Sequence, residues 1–289
     1  MIRLRFASLL AASLACASSV LAQSKPALVF TAIPDQDETK LVQRFTAFGK
    51  YLEGKLGIEV KYLPVKSYAA TVTAFKNNQV QLAWFGGLSG VQARLSVPGS
   101  QAIAQGAEDV EFKSYFIANT AADIKPMAKL GDSLKGKTFT FGSRDSTSGR
   151  LFPEHFLRET FGQPPEQIFS RVGYSGDHSR TIQLVQSGAY QAGAVNFLVW
   201  GSELKAGKID ASKVAIVWTT PSYPDYNWSV RGDVDKTFGG GFTDKLKTAI
   251  LGVDDKTLLG HFDRTKFIPA KNSDYAPIES VGKVTGLIN

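Results

Sequence analysis

From residue 28 onward, short apolar runs alternate with longer amphipathic stretches, and that alternation restricts the chain to few folds. Residues 28–33 (LVFTAI) read as a buried strand stopped by Pro34. Residues 38–56 carry Leu41, Val42, Phe45, Phe48, Leu52 and Leu56 at helical spacing, closed by Gly57. The same pattern predicts strands at 58–63 and 80–85, a helix at 68–75, and another opened by Gly86-Gly87 and running through Arg94. A second set follows: a strand at 138–141, a helix reaching Phe161, a strand at 168–172, a helix at 178–186 and a strand at 192–195. Strands at 114–119 and 214–220 bracket this set, and after Thr220 the PSYPDY stretch leads into more helix.

Such alternation predicts an α/β fold with a mainly parallel sheet. Two sets joined by two strands predict two lobes, two hinge-strand crossovers and a cleft between. Residues 23–119 form the first part of lobe one, 120–220 lobe two, and 221–289 the return to lobe one with C-terminal helices. At ~150 residues per domain the length suits two units. Ligands in open α/β sheets bind beyond the carboxyl ends of strands, where helix N-termini point.

The first 22 residues read as an export signal: Arg3 and Arg5, an apolar stretch over 6–20, and a small-residue cleavage site at Val20-Leu21-Ala22. The mature chain then starts near Gln23 in the periplasm. A competing reading makes Leu14-Ala15-Cys16 a loose lipobox with Cys16 as lipid anchor, although Ser13 stands where a large aliphatic residue belongs. The 33 basic and 26 acidic side chains leave a net charge of +7, but the basic residues are scattered and form no nucleic-acid motif. Cys16 is the lone cysteine, and His155, His178 and His261 form no pair at metal-ligand spacing, so no metal and no cofactor is expected.

Residues 131–138 fit the phosphate-loop pattern GxxxxGK[ST], but Thr138 runs directly into a strand, so they read as a polar turn. The stretch Ser146-Thr147-Ser148-Gly149 is more informative, because it follows one strand and opens a helix. It places three hydroxyls beside unpaired backbone N–H groups at the positive end of a helix dipole, an arrangement suited to an anion. A plain serine N-cap is the alternative. His178, in Gly173-Tyr174-Ser175-Gly176-Asp177-His178, sits at a second strand-to-helix turn and reads either as structural or as a donor to an oxyanion. A Ser-His-Asp hydrolase is disfavoured: there is no GxSxG elbow, and Asp177 adjoins His178 in sequence.

With Ser67-Tyr68-Ala69-Ala70, residues 81–89 (QLAWFGGLS), Leu134-Lys135-Gly136-Lys137, Ser146-Thr147-Ser148-Gly149, Ser175-Gly176-Asp177-His178 and residues 192–196 (AGAVN), the chain resembles the periplasmic substrate-binding proteins of phosphate/phosphite/phosphonate ABC transporters, over roughly residues 28–280. The stretches FTAIPD, VQLAWFGGLSGVQAR and YSGDHSRTIQLVQSGAYQAGAVN are most similar to a branch described as selenate-binding. The resemblance implies a two-lobe, type II periplasmic binding protein with no catalysis. Its partners would be a small oxyanion and an ABC permease in the inner membrane, and the protein would be a monomer. Carried over by motif, Ser146, Thr147, Ser148 and His178 contact the anion from lobe two and Tyr68 from lobe one. Relatives that take aminoalkylphosphonates hold the ammonium with an acidic pair, and here Leu198 and Tyr226 stand at those positions. Phe112 replaces a hinge tyrosine. Tyr68, Trp84, Phe112 and Tyr226 are expected to wall the cleft with rings, and Asp35, Asp177 and Asp225 lie at nearby turns. The anion is left open among phosphite, phosphate, selenate, sulfate and methylphosphonate. A binder of a neutral or hydrophobic alkylphosphonate and a periplasmic ligand-sensing module remain the alternatives.

Overall fold

The structure, a computed structural model, describes residues 26–288; the export signal and Cys16 lie outside them. The chain begins with β1 (Leu28–Ala32), α1 (Glu38–Leu56), β2 (Val60–Tyr62), α2 (Tyr68–Lys76), β3 (Leu82–Phe85), α3 (Gly87–Ser96) and β4 (Gln101–Gly106). It then crosses into β5 (Ser114–Asn119), β6 (Thr138–Phe141), a π-helical turn (Thr147–Leu151), α4 (Phe152–Phe161), α5 (Pro165–Ile168) and β7 (Arg171–Tyr174). There follow α6 (His178–Gln186), β8 (Ala192–Asn196), α7 (Phe197–Lys205) and β9 (Val214–Thr219). The return adds β10 (Asn227–Val230), α8 (Val234–Phe238), α9 (Phe242–Leu251), α10 (Lys256–His261), β11 (Phe267–Pro269) and α11 (Ala276–Val284). No helix among the described residues is long and apolar enough to cross a membrane.

Local chemistry accounts for the predicted helix at 38–56. Asp37 caps it, accepting from the N–H groups of Thr39 and Lys40, and Gly57 ends it at φ +67°, a left-handed turn that glycine takes without steric cost. Its apolar stripe buries Leu41, Phe45, Phe48, Leu52 and Leu56. Phe48 stacks on Trp228 of β10 at 4.6 Å.

Two sheets carry the lobes: β11-β4-β10-β3-β1-β2 and β7-β6-β8-β5-β9. Alternate residues of the second sheet serve cores on its two faces. Phe116 and Ala194 pack with Phe139 and Leu157, whereas Ile117 and Val195 pack with Ile182 and Trp200.

The sheets are mixed rather than mainly parallel. β1 pairs with β2 and β3, and β6 with β7 and β8, in parallel. β10 is antiparallel to β3 and β4, and β5 is antiparallel to β8 and β9. The reason is the route of the chain. The parallel strands point their carboxyl ends at the cleft, so a strand entering from a crossover starts at the cleft end and must run the other way.

Three further expectations are corrected. Residues 114–119, assigned to the end of lobe one, pair into the second sheet, so the crossovers are the segments 107–113 and 220–226. These segments bridge through Phe112 and Tyr223, whose backbones exchange hydrogen bonds of 2.9 and 3.0 Å. The strand expected at 168–172 is β7, which starts three residues later at Arg171, because Ile168 closes the helical turn α5 opened by Pro165. The return is not purely helical, since β10 sits inside the first sheet. Its polar Asn227 and Ser229 disguise it; Arg94 donates to both from α3, at 2.9 and 2.8 Å.

Candidate functional site

The parallel strands of both lobes hand over to helices at the cleft, which brings Tyr68 (start of α2), Gly87 (α3), the π-helical turn and His178 (α6) together. The turn wraps wider than an α-helix: Leu151 N–H donates to Ser146 O at 3.0 Å, five residues back. Its path runs against Gly142, whose N–H donates to Gly149 O at 2.8 Å. A Cβ on Gly149 would lie 3.1 Å from both Gly142 Cα and His178 Cε1, so the close approach needs a glycine there.

The three hydroxyls are buried, and each has a lone pair already occupied by an N–H donor. Ser146 Oγ accepts from Gly149 N at 2.9 Å and Thr147 Oγ1 from Leu88 N, across the cleft, at 2.9 Å. His178 Nδ1 accepts from Asn196 N at 3.3 Å, which assigns the ring hydrogen to Nε2, 3.4 Å from Ser148 Oγ. Occupied in this way, each hydroxyl has its own hydrogen free of the backbone, and those of Thr147 and Ser148 lie near Asp225. Burial pushes the imidazole down to about 3, so the ring is a neutral donor at any physiological pH. The buried Tyr68 hydroxyl makes no hydrogen bond of good geometry, lies near Ser146 and adds a fourth O–H. Its phenol is held well above its ordinary value by burial and by Asp35 and Asp225.

Facing these donors is an acid from one of the turns noted near the cleft. Asp225, in the second crossover, is 1% exposed; its Oδ1 accepts from Gly87 N at 2.8 Å and its Oδ2 has no partner. A Cβ placed on Gly86 would lie 3.4 Å from both Asp225 Oδ1 and Thr147 Oγ1, which locates carboxylate and hydroxyl side by side. Burial pushes Asp225 up to about 7, against the pull of the Gly87 N–H and the Thr147 hydroxyl. Four O–H donors and one orphan carboxylate oxygen suit an oxyanion that carries one proton.

The rings form the layer next to this cluster. Tyr226 donates to Asp35 Oδ2 at 2.8 Å and accepts from Asn196 Nδ2 at 2.9 Å, so it joins lobe one to lobe two. Trp84 stacks on Tyr226 at 5.5 Å and Phe112 tilts against it at 5.4 Å, while Trp84 also meets Phe262 and Phe267. Trp84 and Phe112 are therefore packing behind Tyr226, buried to 1% and 0% exposure. The hydroxyls connect to the hinge as well: Ser114 Oγ donates to Ser148 O at 2.7 Å and shares a hydrogen bond with Tyr223. Asp177 caps α6 by accepting from Arg180 N at 2.7 Å, and His178 N donates to Asp35 O across the cleft at 2.9 Å.

A cavity of about 510 Å³ opens between the lobes, lined by Gln36, Asp37, Lys66 and Ser67 on one side and Ser143, Asp177 and Arg180 on the other. It is a mouth, and the five donor residues are not on its wall. Among the described residues no cluster of His, Cys, Asp and Glu is arranged to hold a metal ion.

A profile of the family described as the ABC-transporter phosphonate periplasmic substrate-binding protein matches residues 30–275. The chain belongs to this family. The binding protein is 44% identical over 259 residues, 87% of each chain, to a probable phosphite-binding protein of an ABC transporter from Prochlorococcus marinus strain MIT 9301. It is 25% identical over 253 residues (81% of this chain, 76% of the relative) to a phosphate-import protein of Mycolicibacterium smegmatis. A solved Prochlorococcus marinus structure in complex with methylphosphonate superposes with a TM-score of 0.86 at 43% identity, covering 91% of this binding protein and 99% of that chain. The two-lobe, type II fold is thus shared with a solved periplasmic binding protein.

Proposed function

We propose that the binding protein captures a singly protonated phosphorus oxyanion, phosphite or methylphosphonate, between its lobes and delivers it to an ABC permease in the inner membrane. The observation that carries this reading is Asp225, buried beside the hydroxyls of Thr147 and Ser148, with its Oδ2 in no hydrogen bond of good geometry. Closing the cleft over an anion beside that carboxylate requires one proton between them. Phosphorus oxyanions whose last ionisation falls near neutrality, as a phosphate monoester's does at ~6, bring it with them. Selenate and sulfate are fully ionised and bring none, so above about pH 7, where Asp225 has given up its own proton, they rank lower, against the expectation of a selenate branch. The relative described as phosphite-binding and the neighbour holding methylphosphonate support it.

An aminoalkyl tail is refused by space as much as by charge. The cavity between Asp35, Leu198 and Tyr226 measures about 10 Å³, about one water's worth. The same proposal has the chain exported with removal of the leader near Gln23 and working as a periplasmic monomer. Competitive calorimetry across phosphite, phosphate, selenate, sulfate, methylphosphonate and 2-aminoethylphosphonate tests it. Phosphite or methylphosphonate is expected tightest, and 2-aminoethylphosphonate at least ~100-fold weaker than the best of them, the equivalent of ~3 kcal/mol. Selenate or 2-aminoethylphosphonate as the tightest of the six would overturn it.

A further inference from the structure

Behind Tyr226 lies a group of buried polar atoms that the anion site does not use. Asp35 Oδ1, Gln36 Oε1 and Arg44 Nε have no hydrogen-bond partner, on residues only 3%, 5% and 5% exposed. All three residues line the small cavity of about 10 Å³, which Trp84, Leu198, Val199 and Phe262 close off with apolar surface. Arg44 forms no ion pair among the described residues; its guanidinium lies over the Phe262 ring at 5.4 Å. Asp35 is attracted to Arg44 but reaches no hydrogen bond with it.

We infer that this cavity binds a single water molecule, which donates to Asp35 Oδ1 and Gln36 Oε1 and accepts from Arg44 Nε–H. Three features support the assignment. The volume matches one water, and a buried water needs two to four polar partners. Two acceptors and one donor complement a water's two hydrogens and a lone pair. Either sign of ion is opposed, a cation by Arg44 and Arg264 and an anion by Asp35 and Asp263, all four of which line the space. A dry cavity would leave two acceptors and a charged N–H unsatisfied, the costlier state.

The water would act as a positioning element for the cleft. Asp35 uses its other oxygen to hold Tyr226, and its backbone carbonyl accepts from His178 N at 2.9 Å. Fixing Asp35 therefore fixes the ring beside the anion and the start of the helix that presents the imidazole. All three water-binding side chains come from 35–44 in lobe one, so the site does not depend on which anion is bound.

The test is a crystal structure of the mature protein grown with methylphosphonate, at a resolution that shows individual waters. The expected result is one peak within roughly 2.7–3.2 Å of all three atoms. An empty cavity, or Arg44 Nε bonded directly to Asp35, would overturn the inference. Gln36→Met removes an acceptor at nearly constant volume; it should abolish the peak and weaken methylphosphonate binding roughly 10-fold. Gln36→Asn, which keeps an acceptor and leaves room, should retain the peak. If the peak survives in Gln36→Met the three-point assignment fails, and if the peak goes with affinity unchanged the positioning role fails. Failure of the anion assignment would show instead in the calorimetry of the unaltered protein, which the peak does not touch.

Discussion

The two walls of the cleft do different chemistry with similar backbone devices. The lobe-two wall offers hydroxyls and a neutral imidazole at helix starts, a set of donors that carries no charge. The facing side, from lobe one and the second crossover, offers the Tyr68 hydroxyl and the buried Asp225 carboxylate. Neutral donors attract any oxyanion, whereas a carboxylate among them admits one only with a proton. In the proposed function, affinity therefore belongs to one wall and selection to the other.

The largest effect that separates the walls should be on stability. Asp225 has a folded value near 7 against an ordinary 3.8, so the folded protein keeps a proton that the unfolded chain releases between those values. Stability contributed by this group is present below about pH 4 and is lost as pH rises to about 7. Asp225→Asn should therefore stabilise the ligand-free protein at pH 8 by about 1–4 kcal/mol and hardly at pH 4, as read by urea unfolding at the two pH values. Equal stability changes at both would place the acid in solvent.

Next in size is the donor wall. Thr147→Ala or Ser146→Ala removes a hydrogen bond to a buried charge, worth ~1.5–3 kcal/mol, or roughly 10- to 150-fold in affinity. The loss should be similar for every oxyanion that binds, which calorimetry with two ligands checks; a loss confined to one ligand would mean that this wall also selects.

The smallest effect belongs to His178. Because burial holds the ring neutral with its N–H on Ser148, His178→Ala should weaken binding by roughly 10-fold through loss of the bond that orients the Ser148 hydroxyl, with the same ratio at pH 5.5 and pH 8. A ratio that grows toward low pH would show a ring that charges on binding.

The hydroxyls of the proposed donor wall were legible in the sequence because they are consecutive and follow a strand, so a local pattern contains them. His178 was readable for the same reason. The acid was not: Asp225 matters because Gly87, Thr147 and its own burial meet at one point, and these come from three distant stretches of chain. Trp84 and Phe112 show the converse limit. Trp84 lies in β3 and Phe112 in the first crossover, and which way each ring packs depends on Tyr226 and Phe197 around it, information that no spacing carries. Strand direction failed similarly, since β5 and β10 read as ordinary apolar or half-polar runs until the crossovers dictate their sense.

In the proposed function, Asp225 makes the site read a proton on its ligand. Calorimetry of methylphosphonate and selenate on the unaltered protein and on Asp225→Asn, at pH 8, measures this directly. The unaltered protein is expected to prefer methylphosphonate by at least ~100-fold, and Asp225→Asn to reduce the preference to within ~10-fold, chiefly by binding selenate more tightly, since removing a buried like charge is worth several kcal/mol. An unchanged preference in Asp225→Asn, or selenate bound more tightly than methylphosphonate by the unaltered protein, would contradict it.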